Sequence, residues 1–438
     1  MIIMKWSKFN VLFYSKKLGY CLFNSRMLSL TKLDKNTFEL FTLLQSKPEL
    51  AECKLCESDY KCLVQKKILV NDTEDQRYQA MLKYRKMSQS YSHDTLGLIV
   101  CPTLACNFAC PYCYEHNLPN LVMKESVQQQ LIDFINRQEG YKKFTLNWHG
   151  GEPLMAFKTI QQIYEKIETK AHLPLVHSSM VSNGFLLTEE MCKFFSNVKL
   201  NYLQITIDGA KETHNKTRIL KNGESSFERI IENIDMATEI MPDCCIGIRT
   251  NIGKNNRSEY IKLYRDLSER WRDKNCHIYH TYILDNGLDS CEENRSSLEL
   301  TTDEKNDFEV LLAQAGIKSK KSLYPCLDKC TYTCTDQSAF VVDPLGSLYK
   351  CWADVGKSNR TIGHLKTGID NYDIVSQFLL STDKFTDSRC LQCSYLPVCD
   401  GGCNLYRVGY LEKGIPYNVC QINDRGLIKY LETYCEEL

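Results

Sequence analysis

Residues 106–113 read Cys106-Asn107-Phe108-Ala109-Cys110-Pro111-Tyr112-Cys113, three thiols spaced Cys-x3-Cys-x2-Cys shortly after the apolar run LGLIV at 96–100. Thiolates this close on one loop are ligands for an iron–sulfur cluster or for zinc. A cubane cluster has four irons, so three cysteines leave one iron open to a small ligand. Zinc would ask for a fourth Cys or His nearby, and Cys101 and His116 are the nominal candidates. A ligand-bearing loop just past a strand is the arrangement of open α/β sheets and βα barrels, whose sites lie at the carboxyl ends of the strands.

The chain beyond this loop keeps the same rhythm. β-prone runs recur at 144–148 (FTLNW), 176–181 (VHSSMV), 202–207 (YLQITI), 244–250 (CCIGIRT) and 277–284 (HIYHTYIL). Apolar stripes at helical spacing lie between them: Val127, Leu131, Phe134 and Ile135, then Ile160, Ile163, Tyr164 and Ile167, then Phe227, Ile230, Ile231 and Ile234. Short strands alternating with helices predict a parallel sheet, and six such units predict an open, partial (β/α)6 barrel over residues 93–285.

The flanks differ in character. Residues 1–92 predict a small winged-helix-like α+β module: β-prone runs at 9–14 and 20–24, a helix ending before Lys47-Pro48, a second helix, a closing strand at 67–70, and a polar linker helix or loop from Asp75. Residues 286–325 are a polar bridging segment. Nine cysteines then fall between Cys326 and Cys420, in a stretch (326–424) whose weak periodicity predicts organisation around metal. Residues 425–438 predict a terminal helix carrying Leu427, Ile428 and Leu431.

Composition narrows the function classes. Lys+Arg and Asp+Glu both number 54 in 438 residues, so nucleic-acid binding by bulk charge is not expected. No run approaches the roughly 18–20 apolar residues of a membrane span. Lys5 and Lys8 interrupt what would have to be the apolar core of a signal peptide. The expectation is a cytoplasmic protein whose 23 cysteines serve as metal ligands or catalytic groups rather than disulfides.

Further motifs follow the cysteine loop in order. Gly150-Gly151-Glu152-Pro153 ends the second strand, where the glycines would let backbone approach a ligand and Glu152 could pair with an ammonium. Ser182-Asn183-Gly184 ends the third, Ile205-Thr206-Ile207-Asp208-Gly209 the fourth, and His214, Arg218 and Arg249 come after. Together these residues resemble the radical S-adenosylmethionine (SAM) enzymes, including the aromatic Tyr112 before the third cysteine. The resemblance implies that Cys106, Cys110 and Cys113 hold a 4Fe–4S cluster. It implies that Gly150, Gly151, Glu152 and Pro153 receive the methionine amino group of SAM, that Ser182 and Asn183 meet its ribose or carboxylate, and that Tyr112, Asp208, Arg218 and Arg249 belong to the same cofactor site.

The second cysteine group is Cys334, then Cys351 after Gly346, then Cys390-x2-Cys393-x5-Cys399-x3-Cys403, then Cys420. It resembles the seven-cysteine SPASM domain of peptide-modifying radical SAM enzymes. That resemblance implies two auxiliary 4Fe–4S clusters, hence three in all: one on Cys390, Cys393, Cys399 and Cys420, the other on Cys334, Cys351 and Cys403 with Cys330 or Cys326 as fourth ligand. It also implies a precursor peptide with a leader sequence as partner, and a flavodoxin- or ferredoxin-type electron donor in an anaerobic or facultative bacterium; the N-terminal module is expected either to capture the leader or to pack on the barrel as a structural cap. The expected activity is intramolecular cross-linking of a ribosomal peptide. Anaerobic sulfatase maturases carry an aspartate directly after the cysteine matching Cys351; here Trp352 stands there, and Asp354 is the nearest candidate general base. Oxidation of Ser or Cys to formylglycine stays as an alternative, as does an inactive iron–sulfur protein that binds peptides or carries electrons. Cys53-x2-Cys56-x5-Cys62 imitates the 390–399 spacing, and both metal binding and plain thiols are open there.

Overall fold

The computed structural model describes residues 4–115, 118–283, 298–317, 324–326, 333–414 and 416–436. They form two compact units, one from residues 1–89, 301–331 and 380–438, the other from residues 90–300 and 332–379. The cysteine-rich stretch 326–424 is thus shared between the two.

In the first unit the strands are β1 (Met4–Trp6), β2 (Asn10–Ser15), β3 (Gly19–Asn24), β4 (Ser29–Leu33) and β5 (Leu69–Asn71). β2, β3 and β4 make an antiparallel meander, and β1 pairs with β5. The helix Lys35–Ser46 starts at Asp34, whose carboxylate accepts the Thr37 N–H at 2.9 Å, and ends before Pro48. Its Phe41 and Leu44 meet Leu22, Leu63 and Leu69 in one apolar core. Phe13 and Phe23 of the meander pack with Tyr395 and with Leu427 and Leu431 of the terminal helix Asp424–Glu436. The polar stretch after Asp72 is a helix, Glu74–Ser90, whose Tyr78 and Leu82 pack against Phe9, Phe385 and Leu396.

The second unit holds β6 (Thr95–Val100), β7 (Lys143–Trp148), β8 (Leu175–Ser182), β9 (Tyr202–Thr206), β10 (Cys245–Ile252) and β11 (Cys276–Tyr282), all parallel and paired in sequence order. Every one matches a predicted run. The helices Glu125–Asn136, Phe157–Lys170 and Phe227–Ile240 bury the predicted stripes; Ile160, Ile163, Tyr164 and Ile167 all face the core. This is the barrel-like βα sheet the periodicity predicts.

The sheet continues past β6 in a way the sequence does not announce. β12 (Ala339–Val342) adds to β6 as a seventh parallel strand, followed by antiparallel β13 (Ser347–Tyr349), β14 (Gly363–His364) and β15 (Gly368–Ile369). Gly97 faces Ala339 in this pairing, and a Cβ on Gly97 would lie 3.2 Å from that of Ala339. Small residues on both strands let them close.

Candidate active site

The loop Cys106–Cys113 leaves the carboxyl end of β6 and is held from outside by the segment around Leu220. Phe108 bridges to Leu220, Ala109 N donates to Ile219 O at 2.7 Å, and Lys221 N donates to Asn107 O at 3.0 Å. Within the loop Phe108 N donates to Cys106 Sγ at 3.4 Å. Burial pushes the Cys106 thiol up to about 11, that of Cys113 up to about 12, and that of Cys110 upward as well. Thiols so placed keep their protons until a cation takes the proton's place.

The Gly150-Gly151 turn packs directly on protein backbone, with no room for a side chain at either position. A Cβ on Gly150, at φ +105°, would fall 2.4 Å from Thr103 O, and one on Gly151 would fall 2.3 Å from Ala105 O. Gly151 N and Glu152 N donate to Thr103 O and Ala105 O at 3.3 and 2.8 Å, so the turn is laced to the backbone that runs into Cys106. The fully buried Glu152 carboxylate accepts from Leu154 N at 3.0 Å, Ser182 Oγ at 2.8 Å and Asn183 N at 2.7 Å. Burial raises its pKa against those donors. One lone-pair direction of the carboxylate is left for a further donor. Asn183 in turn donates from Nδ2 to Asn107 Oδ1 at 2.8 Å, tying the end of β8 to the cysteine loop.

Tyr112, Asp208 and Arg218, distant in sequence, converge. The Tyr112 hydroxyl donates to Asp208 Oδ2, and Arg218 Nη1 donates to that hydroxyl at 3.3 Å. Asp208 Oδ1 accepts Asn251 N at 2.7 Å. Burial raises the Asp208 pKa, with Arg218 working against it. Burial also works against the Arg218 charge, but the Asp208 carboxylate and the Tyr112 hydroxyl that accepts from Arg218 favour it, and the guanidinium stays protonated. Its plane lies 5.3 Å from the Phe108 ring centroid. Arg249 points along the same face of β10 and donates from Nε to Thr281 Oγ1 at 2.9 Å. Asn251, two residues on, belongs to this network and was not foreseen; the period of two along β10 is the signal that would have found it.

His149 Nδ1 accepts Gly150 N at 2.8 Å, its Nε2 is 3.3 Å from the Tyr114 hydroxyl, and its ring stacks on Trp352 at 6.0 Å and 13°. Cys101, fully buried, packs among Ile99, Leu104 and Val341 as a core thiol, and His116 lies outside the described residues. Asp354 is buried too, with Arg360 Nε at 3.3 Å from its Oδ2, so the proposed base sits in an ion pair under the surface.

The residues present fit an iron–sulfur cluster with SAM. Three buried thiols share one loop, and two buried donors beside it, Asn107 Nδ2 and Arg218 Nε, find no acceptor among the described residues. Such donors suit an oxygen-rich ligand. Residues 100–267 match the family model described as the radical SAM superfamily. This stretch is a radical SAM domain.

Likeness to known proteins extends beyond the domain. The serine-type anaerobic sulfatase-maturating enzyme of Bacteroides thetaiotaomicron is 32% identical over 143 residues, which is 30% of this chain and 33% of that protein. The chain therefore matches about a third of that relative's length. The structure of anSMEcpe with bound AdoMet and Kp18Cys peptide superposes with a TM-score of 0.60 at 19% identity, covering 78% of this chain and 98% of that one. The structure of Streptococcus suis SuiB bound to precursor peptide SuiA superposes at 0.54 and 13% identity, covering 96% and 100%. The three-cysteine loop of the radical SAM domain is a candidate iron–sulfur/SAM site. No helix among the described residues is long and apolar enough to cross a membrane.

Outside the radical SAM domain, the other cysteines divide between the units. Cys334 sits in the turn Thr333–Thr335 and Cys351 just after β13, both grouped with the barrel strands. In the other unit the thiols of Cys390, Cys399 and Cys420 each lie within electrostatic reach of Cys393. Each of three sulfurs accepts a hydrogen bond: Cys390 from Arg407 Nη2 at 3.4 Å, Cys393 from Tyr395 N at 3.3 Å, Cys399 from Gly401 N at 3.3 Å. Burial raises all three thiols, Cys399 to about 11. Cys403 is exposed and precedes the helix Asn404–Lys413, Cys326 is exposed, and Cys330 lies outside the described residues. Cys53, Cys56 and Cys62 are all exposed, and among the described residues no three His, Cys, Asp or Glu side chains are placed to hold a single metal ion.

Proposed function

We propose that this chain is a peptide maturase that cross-links a ribosomally made precursor peptide through a C–S, C–C or C–O bond. In this reading Cys106, Cys110 and Cys113 would hold a 4Fe–4S cluster which, with SAM, would supply 5′-deoxyadenosyl radical chemistry at a substrate C–H bond. The chain's own residues bind and orient. Glu152 keeps its remaining acceptor direction for the methionine ammonium while fixing Ser182 and Asn183 beside the ribose or carboxylate. Tyr112, Asp208 and Arg218, with Arg249 nearby, form the polar wall of the same site. Gly150 and Gly151, with Pro153 behind them, set the position of the cysteine loop by close backbone packing.

The observation that carries the cross-linking reading is Trp352. It stands directly after Cys351, where the sulfatase-maturase resemblance requires aspartate, and its ring is stacked on His149. Asp354, the nearest carboxylate, stands two residues further on and is paired with Arg360. The reach of the SuiB superposition, 96% of this chain against 78% for anSMEcpe, supports a role for the N-terminal module in holding a leader peptide. Three clusters are proposed: the SAM cluster, one on Cys390, Cys393, Cys399 and Cys420, and one drawing on Cys334, Cys351 and Cys403 with Cys330 or Cys326. The sulfatase-type reading retains the support of the named relatives alone.

The test is tandem mass spectrometry of a short peptide encoded beside this gene, incubated without oxygen with reconstituted enzyme, SAM and reductant. Loss of two hydrogens, with fragment ions missing between two residues, is expected. The same loss at one Ser, with full fragmentation and an aldehyde-reactive product, would assign formylglycine chemistry instead. Fully clustered protein that yields no 5′-deoxyadenosine would sink the enzyme reading.

A further inference from the structure

We infer that the outer face of the helix Glu74–Ser90 is the docking surface for a small acidic electron-carrier protein, which exchanges one electron with the cluster proposed on Cys390, Cys393, Cys399 and Cys420. The inference rests on that cluster assignment. The inner side of this helix lies on the cysteine loop. Tyr78 and Leu82 share a core with Phe9, Phe385 and Leu396, against which Cys390 packs. Gln79 Nε2 donates to Leu391 O at 2.7 Å, where Lys8 Nζ also donates at 2.8 Å, and Lys86 pairs with Asp383 at 2.9 Å.

The outer side is unlike the rest of a neutral chain. Met81, Tyr84 and Met87, one helical turn apart, are 41%, 72% and 39% exposed. Arg77, Lys83 and Arg85 are exposed around them, and no acidic residue occurs from Gln76 to His93. Large apolar side chains ringed by cations fit a partner with an apolar contact inside an acidic rim. Polar solvent-exposed helices have no reason to present two methionines and a tyrosine in register. A helix with its side chains is about 10–12 Å across, so a carrier seated on this face is separated from the Cys390 loop by one layer of protein. The carrier loses the electron that the cluster gains, or gains the one it loses when the surplus electron of the substrate radical leaves; no atoms are exchanged.

The experiment measures binding of purified flavodoxin to the full-length clustered protein by calorimetry at two salt concentrations. Wild-type affinity should fall as salt rises. Arg77→Glu, Lys83→Glu and Arg85→Glu combined should weaken it at least about tenfold, and Tyr84→Ala should weaken it alone, because the residues are exposed and their loss leaves the fold intact. With dithionite as reductant the same variants should form 5′-deoxyadenosine at the wild-type rate, and with reduced flavodoxin more slowly. An unchanged affinity in the charge-reversed protein overturns the proposal. So does a variant that loses affinity for the precursor peptide but not for flavodoxin, which would make this face a leader site. Failure of the wild type to cleave SAM with dithionite would count against the catalytic reading and leave the binding result to stand by itself.

Discussion

The carboxylate of Glu152, just past the end of β7, accepts the backbone N–H of Asn183 at the end of β8 at 2.7 Å. One buried side chain thereby fixes the ends of two adjacent strands relative to each other, and through Asn183 to Asn107 it fixes the cysteine loop as well. Glu152→Ala would leave Leu154 N, Ser182 Oγ and Asn183 N without their acceptor. At about 1–3 kcal/mol for each buried donor left unpaired, the loss should reach on the order of 3 kcal/mol even with partial rehydration. Chemical denaturation should therefore show a lower midpoint, alongside lost SAM cleavage. A variant as stable as wild type but inactive would mean that Glu152 serves the ligand alone.

Gly151 makes a sharper prediction. Its missing Cβ is replaced by Ala105 O, one residue before the first cluster cysteine. Gly151→Ala must push that carbonyl, a backbone atom with nowhere to rotate, and so move Cys106. The variant should lose the iron of the SAM cluster while keeping iron elsewhere, read by iron and sulfide assay of reconstituted protein. Full iron content would show that the loop tolerates the shift.

Asp354 tests the base against the ion pair. If its role is to neutralise Arg360, Asp354→Asn removes the negative charge from a buried ion pair, a cost of roughly 3–5 kcal/mol. The protein should melt earlier, and a second change, Arg360→Gln, should restore part of the loss. If instead Asp354 moves a proton, Asp354→Asn should melt as wild type does and stop only product formation after SAM cleavage.

The six barrel strands are legible in the sequence because each is a short apolar run between amphipathic helices, and these are local patterns. The cysteine loop is legible through spacing along eight residues. What is not legible is long-range. The run AFVV at 339–342 carries no mark that its partner is β6, more than two hundred residues earlier. Nothing local shows that the glycines of the Gly150-Gly151 turn pack on residues 103–105, and only the resemblance, not any local pattern, brings Tyr112, Asp208 and Arg218 to one site. β1, three residues long, is a strand only because β5 pairs with it.

His214 gives a pH dependence with a definite sign. It is buried, its Nδ1 accepts Asp208 N at 3.2 Å and its Nε2 faces Ser226 Oγ at 3.2 Å, so it is neutral in the fold. Burial, with Arg218 adding to it, lowers its pKa to about 3. Unfolded, the imidazole would take a proton near its ordinary value of about 6.5. Its contribution to stability is therefore complete above that pH and is lost as pH falls toward about 3, up to on the order of 4 kcal/mol. Glu152 and Asp208, raised by burial, act in the opposite direction over the acid range. Unfolding free energies measured between neutral pH and moderately acid pH should fall more steeply for wild type than for His214→Asn. Parallel curves would show that the native His214 takes up a proton as readily as the unfolded one.

Arg407 is placed to tune the cluster proposed in the first unit. Its Nη2 donates to Cys390 Sγ at 3.4 Å, Nη1 donates to Gly401 O at 2.8 Å, and Asp387 lies 3.4 Å from Nε. A charged donor on a ligand sulfur withdraws electron density and favours the reduced cluster, so it raises the reduction potential. Arg407→Gln keeps length and a donor but removes the charge. The potential of that cluster, followed by redox titration with paramagnetic resonance, should move to more negative values, and the SAM cluster should not move. Because Asp387 also receives Arg389 and the Tyr417 hydroxyl, it keeps partners when Arg407 is changed, and the loop should hold its shape. If the potential stays put in a variant that retains its iron, Cys390 is not a ligand of that cluster.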